Sequence, residues 1–162
     1  MPVTKLLPLT AFALALALSA CATSAPTPPT SVTRVVSTTS FGMCVGYCTT
    51  RLEITEGEAV LIREARGGRG APNPSLQPQR YSTPLTAAEW QEIQRLAAAT
   101  DLTTVPDVVG CPDCADGGAE GLTIESPSGA ESVSLEFRAA LPAAQPLLDR
   151  VRALRDRLTP QE

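Results

Sequence analysis

The chain has 162 residues, 43% of them hydrophobic, with a formal net charge of −4 at neutral pH and no histidine. The missing histidine excludes Ser-His-Asp and Cys-His catalysis and every histidine metal site. Lys5 is the only lysine, so the rest of the chain has no Schiff-base or P-loop chemistry, and its mildly acidic balance argues against the basic face that nucleic acid requires.

The chain opens MPVTKLLPLTAFALALALSAC, with Lys5, an apolar core from about Leu6 to Leu18, and small residues up to Cys21. This is the layout of an export signal. The apolar core is about 13 residues, short of the roughly 20 that a spanning helix needs. Leu18, Ser19, Ala20 and Cys21 resemble the lipobox of bacterial lipoproteins, where the signal is cut before the cysteine and its sulfur carries a diacylglycerol. The alternative is an ordinary secretory peptide cut after an Ala-x-Ala site, with Cys21 left as a free thiol. The lipoprotein resemblance implies a signal peptide at 1–20 and membrane attachment through acyl chains such as palmitate on Cys21. Ala22 follows the cysteine where inner-membrane lipoproteins carry aspartate, which implies an outer-membrane location facing the periplasm.

The stretch ATSAPTPPTS, Ala22 to Ser31, is Pro, Thr, Ser and Ala without charge and is expected to be an extended tether, so the lipidated cysteine and tether together take 21–31. One domain is expected from 32 to 162.

Within it, Val32 to Ser40 is β-branched and predicts a first strand. Leu52 and Ile54, then Val60 and Ile62, alternate about Gly57 and predict a hairpin. Glu64 to Arg80 has three glycines and three prolines without periodicity and predicts a long mobile loop, with Arg66 and Arg69 as solvated charges. Thr86 and Glu89 form a capping box that starts a helix, with Leu85 stapled onto Trp90. Trp90, Ile93 and Ala97 then share a core face. Leu122 and Ile124, the SPSG turn, and Val133, Leu135 and Phe137 predict a second hairpin.

A closing helix is expected from about Pro142, or from Pro146 as a first position, to Leu158. Its apolar stripe is Leu147, Val151, Leu154 and Leu158, and Arg150, Arg152, Arg155 and Arg157 are read as a solvated face. The expected fold is α+β: a small antiparallel sheet in β-β-β-α-β-β-α order, with two helices on one face and disulfide staples.

Four cysteines remain beyond Cys21: Cys44 and Cys48 in FGMCVGYC, Cys111 and Cys114 in GCPDCADGGAEG. They could close a four-cysteine zinc site, although an oxidising compartment favours disulfides. Cys111 and Cys114 could also be a redox pair, but the following ADGGAEG is a poor helix start and Asp113 and Asp116 would raise the thiol pKa. The third reading is structural disulfides, with three connectivities open. Joining Cys44 to Cys111 closes a loop of about 68 residues, worth roughly 4 kcal/mol, against about 2 for Cys111 to Cys114. The expectation is therefore cross-links between the two clusters; a local Cys44–Cys48 pair requires Gly46 to turn the chain. Asp113, Asp116 and Glu120 offer carboxylates of the kind that glycosidases pair or calcium takes, without EF-hand spacing, and are read as solvated loop charges.

SFGMCVGYC, the strand pair, LTAAEW and GCPDCADGGAE together are similar to a group of uncharacterised exported bacterial domains with an FG-x-C motif before a hairpin. The likeness runs from about Val35 to Leu158. Gly121 stands where a bulky residue is expected after GGAE, and no established activity comes with the group. The chain is thus expected to be a lipid-anchored envelope protein without cofactor or metal, a non-catalytic binding or structural module rather than an enzyme. Its expected partners are the membrane, through Cys21, and an envelope protein, with no nucleic acid. The contact surface is expected where the two cysteine clusters meet, with Phe41, Tyr47, Asp113 and Asp116 as contacts. The alternative is a thiol-redox or four-cysteine metal-binding protein using Cys44, Cys48, Cys111 and Cys114.

Overall fold

The computed structural model describes residues 32–68 and 71–160. The signal, Cys21, the tether and Arg69 lie outside the described residues. The elements are β1 (Arg34–Ser40), β2 (Gly46–Thr55), β3 (Glu58–Arg66), β4 (Gln79–Pro84), α1 (Ala87–Ala98), β5 (Val108–Val109), β6 (Ala119–Ser126), β7 (Gly129–Glu136) and α2 (Gln145–Leu158). They form a seven-stranded sheet in the order β4-β3-β2-β1-β6-β7-β5. The mixed α+β class matches the expectation, whereas the strand order does not: two strands are added. The pairings are antiparallel apart from β5 against β7.

The added strands have physical reasons. Gln79–Pro84 carries no apolar alternation, yet it pairs along β3 with Tyr81 opposite Leu61, so its conformation comes from its neighbour's exposed edge. The expected loop from Glu64 to Arg80 shrinks accordingly, because β3 continues to Arg66 and β4 begins at Gln79. At the other edge, Val108 and Val109 lie parallel to Ser134 and Leu135, secured by a 2.8 Å bond from the Ser134 amide to the Asp107 carbonyl.

Side chains alternate across a sheet, and the register stacks one face into rows. Val35 lies between Ile54 and Ile124, and Ser37 between Leu52 and Leu122. Trp90, Ile93 and Ala97 of α1 and Leu147, Leu148, Val151 and Leu154 of α2 join these strand residues in a single core. The tryptophan, 5% exposed, is a core residue as expected. The α1 capping box is present: the Glu89 amide donates to Thr86 Oγ1 at 3.2 Å, and the Thr86 amide donates to Glu89 Oε2 at 2.9 Å. α2 accepts Pro146 in its first turn, where proline loses no intrahelical bond.

The next row towards the far end of the sheet is polar. Thr39 lies opposite Thr50 and Glu120, and the two threonine hydroxyls are 2.7 Å apart. Into this row reach two of the arginines expected in solvent. Arg152 Nη2 is 2.6 Å from Glu120 Oε2, and Arg155 Nη2 donates to Glu120 Oε1 at 2.8 Å and to Ser37 Oγ. The expectation of a uniformly solvated arginine face is therefore corrected: Arg155 follows Leu148 and Val151 at helical spacing and faces the sheet. Arg150 and Arg157 stay near the surface, where both approach Glu89 at 3.5 Å and join α2 to α1.

Candidate functional site

β1 and β2 are joined by a turn that contains the first cysteine pair. The Phe41 amide donates to the Cys48 carbonyl at 3.2 Å, and Gly46 turns the chain at φ 103°, a conformation that glycine adopts without steric cost. This brings the Cα atoms of Cys44 and Cys48 to 5.6 Å, and the two form a disulfide. Cys48 is 2% exposed and anchors the turn, while Met43 and Val45 on either side of Cys44 are 79% and 76% exposed.

The second pair closes the turn before β6. Cys111 and Cys114, with Cα atoms 5.4 Å apart, form a disulfide, and Cys114–Asp116 make one 3-10 turn. Asp113, Ala115 and Asp116 have φ of 59°, 49° and 62°, left-handed values that L-residues rarely adopt. The Asp113 amide donates to the Gly118 carbonyl at 2.9 Å.

Both clusters therefore pair locally, and the expected cross-links between them are overturned. The entropy of a long loop favours a distant pair only if the native fold brings the sulfurs together. Here each turn folds back on itself and brings its own two cysteines within bonding distance.

The clusters nevertheless touch through other groups. The Gly42 amide donates to Asp113 Oδ1 at 3.0 Å. Gly118 lies against the Phe41 ring, at φ 82°, with no room for a Cβ. Phe41 in turn meets Phe137 edge-on, with ring centroids 4.8 Å apart. Gly118→Ala is expected to cost about 2–3 kcal/mol, from the left-handed backbone and the displaced ring, read from urea unfolding.

Of the four expected contact residues, then, Phe41 and Asp113 lie where the turns meet. Tyr47 is engaged elsewhere: its hydroxyl donates to the Gln77 carbonyl at 2.9 Å, and the Arg63 guanidinium stacks 5.0 Å from its ring centroid. Asp116 is exposed and takes no side-chain partner among the described residues. Glu120 does not join Asp113 and Asp116 in a carboxylate cluster, since it is buried against α2. Among the described residues no three cysteine or carboxylate side chains converge as a metal would require.

Met43 and Val45 had no place in the sequence reading. Their signal is two apolar residues flanking Cys44, a pattern with no periodicity to register. Gly121 lies opposite Thr38, whose Oγ1 fills the place a side chain would take. A cavity of about 480 Å3, lined by Thr49, Glu64, Arg66, Pro72 and Gln77, lies beside the Cys44–Cys48 turn, where Gly46 pairs with Arg66 and Tyr47 with Ala65; another of about 330 Å3, lined by Val32, Ile124, Ser128 and Glu131, lies at the opposite end of the sheet. Compared with known protein families and with curated proteins, the chain matches none.

Proposed function

We propose that the chain is a lipid-anchored cell-envelope protein whose domain is a non-catalytic binding module, contacting an envelope protein through its paired disulfide turns. The observation that carries this reading is the exposure of Met43 and Val45, at 79% and 76%, on a turn braced by the Cys44–Cys48 disulfide and by Asp113. A braced turn loses little freedom on docking, so more of its apolar contact is available as affinity. Exposed apolar groups held this way suit a protein partner.

The orientation agrees with a tether. β1 leads from Arg34, two residues after Val32 at the tether side, to the Cys44–Cys48 turn, and seven residues of strand at about 3.3 Å each separate the two ends. An anchor on Cys21 would thus hold the domain by one end and leave the turns at the other. Among the described residues no helix is long and apolar enough to cross a membrane, and attachment in this proposal is through lipid at the outer membrane, facing the periplasm. The likeness to exported FG-x-C domains supports the same compartment.

A photo-crosslinker placed at Met43 or Val45 tests the reading in intact envelopes. A discrete protein adduct is expected there and not from the same probe at Ser128, in the turn at the tether end. No adduct from either turn position, or equal adducts at Ser128, overturns the proposed surface. The rival chemistry uses the same four cysteines for thiol redox or zinc. Intact mass after thiol blocking, with metal analysis, separates the two: two disulfides without zinc are expected, and four free thiols with one equivalent of zinc overturn the binding-module reading.

A further inference from the structure

We propose that the Cys111–Cys114 disulfide is a reducible latch governing how the turn with Met43 and Val45 is presented, an inference that rests on that turn being the contact surface. Cys111 and Cys114 are both exposed, whereas Cys48 is 2% exposed; exposed disulfides are the labile ones. The bond closes a turn in which Asp113 has φ 59°, and two more left-handed L-residues, Ala115 and Asp116, follow directly after Cys114. Such backbone persists only while its surroundings enforce it. The same turn aims the Asp113 carboxylate at the Gly42 amide, 3.0 Å away, one residue before Met43. The disulfide therefore controls the contact that braces the apolar turn from outside.

The reductant is a dithiol of the thioredoxin class. One of its thiolates attacks a sulfur of the Cys111–Cys114 bond, forming a mixed disulfide and releasing the other cysteine as a thiolate. The second thiolate of the dithiol then displaces the remaining cysteine. Two electrons and two protons pass to Cys111 and Cys114, and the dithiol leaves as a disulfide. The left-handed segment then relaxes and Asp113 withdraws from Gly42. Cys44–Cys48 stays closed, so the apolar turn is loosened without being lost.

The full chain is titrated with dithiothreitol, its thiols are trapped with N-ethylmaleimide and located by peptide mass, and Gly42 amide exchange is followed by NMR. Cys111 and Cys114 are expected to be trapped before Cys44 and Cys48, with Gly42 exchange accelerated about tenfold or more as a local opening. Asp113→Ala in the oxidised protein is expected to give the same acceleration. Simultaneous reduction of both disulfides, or unchanged Gly42 exchange after selective reduction, overturns the latch. The Cys111→Ser, Cys114→Ser double variant holds the open state permanently; if it fails to fold, the titration of the unaltered chain still decides. Accelerated Gly42 exchange without any crosslink at Met43 overturns the contact surface and leaves the latch, and the reverse result overturns the latch alone.

Discussion

Glu120→Ala is expected to lower the unfolding free energy by about 3–5 kcal/mol, the range for removing one partner of a buried ion pair, measured by urea titration. The carboxylate is fully enclosed, with Arg152 and Arg155 side chains 13% and 7% exposed. Its removal strands Arg155 beneath α2 and leaves Ser37, between Leu52 and Leu122, as a hydroxyl facing a charge with no counter-ion. A Glu120→Met, Arg155→Met double variant is expected to recover most of the loss, since apolar groups of similar volume often replace a buried pair without penalty. If Glu120→Ala unfolds within about 1 kcal/mol of the parent, the pair adds no more than an exposed salt bridge.

The same residue sets an acid limit. Burial pushes the Glu120 carboxyl up, but hydrogen bonds and charges from Arg152 and Arg155 outweigh burial and hold it below the usual carboxylate range. A depressed carboxyl stabilises the fold fully above its unfolded pKa, about 4.3, and the contribution fades as pH falls through the lower folded value. Acid unfolding followed by circular dichroism is expected to show a steeper loss below about pH 4.3 in the parent than in the double-methionine variant. Parallel acid curves for the two proteins count against this account.

The proposed lipid anchor on Cys21 sets the largest expected effect on where the protein resides. At about 0.8 kcal/mol per buried methylene, two or more acyl chains hold a protein on a bilayer essentially irreversibly. Replacing residues 1–21 with a secretory signal cleaved at an Ala-x-Ala site, so that the mature chain starts at Ala22, is expected to move it completely from the outer-membrane fraction to the soluble periplasm. Cys21→Ser is expected to abolish incorporation of labelled palmitate. A thiol-free chain that still sediments with the outer membrane would sink the lipid-anchor proposal.

Much of the fold was legible because the relevant interactions are local. The α1 capping box spans four residues, Thr86 to Glu89, and the hairpins at Gly57 and SPSG follow period-two alternation across short turns. The apolar stripe of α2 was equally plain. β4 was not, since Gln79–Pro84 has no pattern of its own and becomes a strand by completing the ladder of β3. Of the expected contact surface, Phe41 and Asp113 were found where the clusters meet. Tyr47 is drawn instead to Arg63 and the Gln77 carbonyl, and the exposure of Met43 and Val45 follows no local pattern.

Residue order is enough for the elements whose stabilising contacts lie within a turn or a hairpin, the capped helix and the two hairpins, and composition is enough to exclude histidine and lysine chemistry from the domain. Which cysteines pair, which arginines leave solvent and which carboxylate they meet depends on the packed fold. The physical reason is separation along the chain. Asp113 reaches Gly42 across 71 residues and Arg155 reaches Ser37 across 118. Such contacts exist because packing the sheet against two helices brings those groups together, and no short-range pattern carries that information.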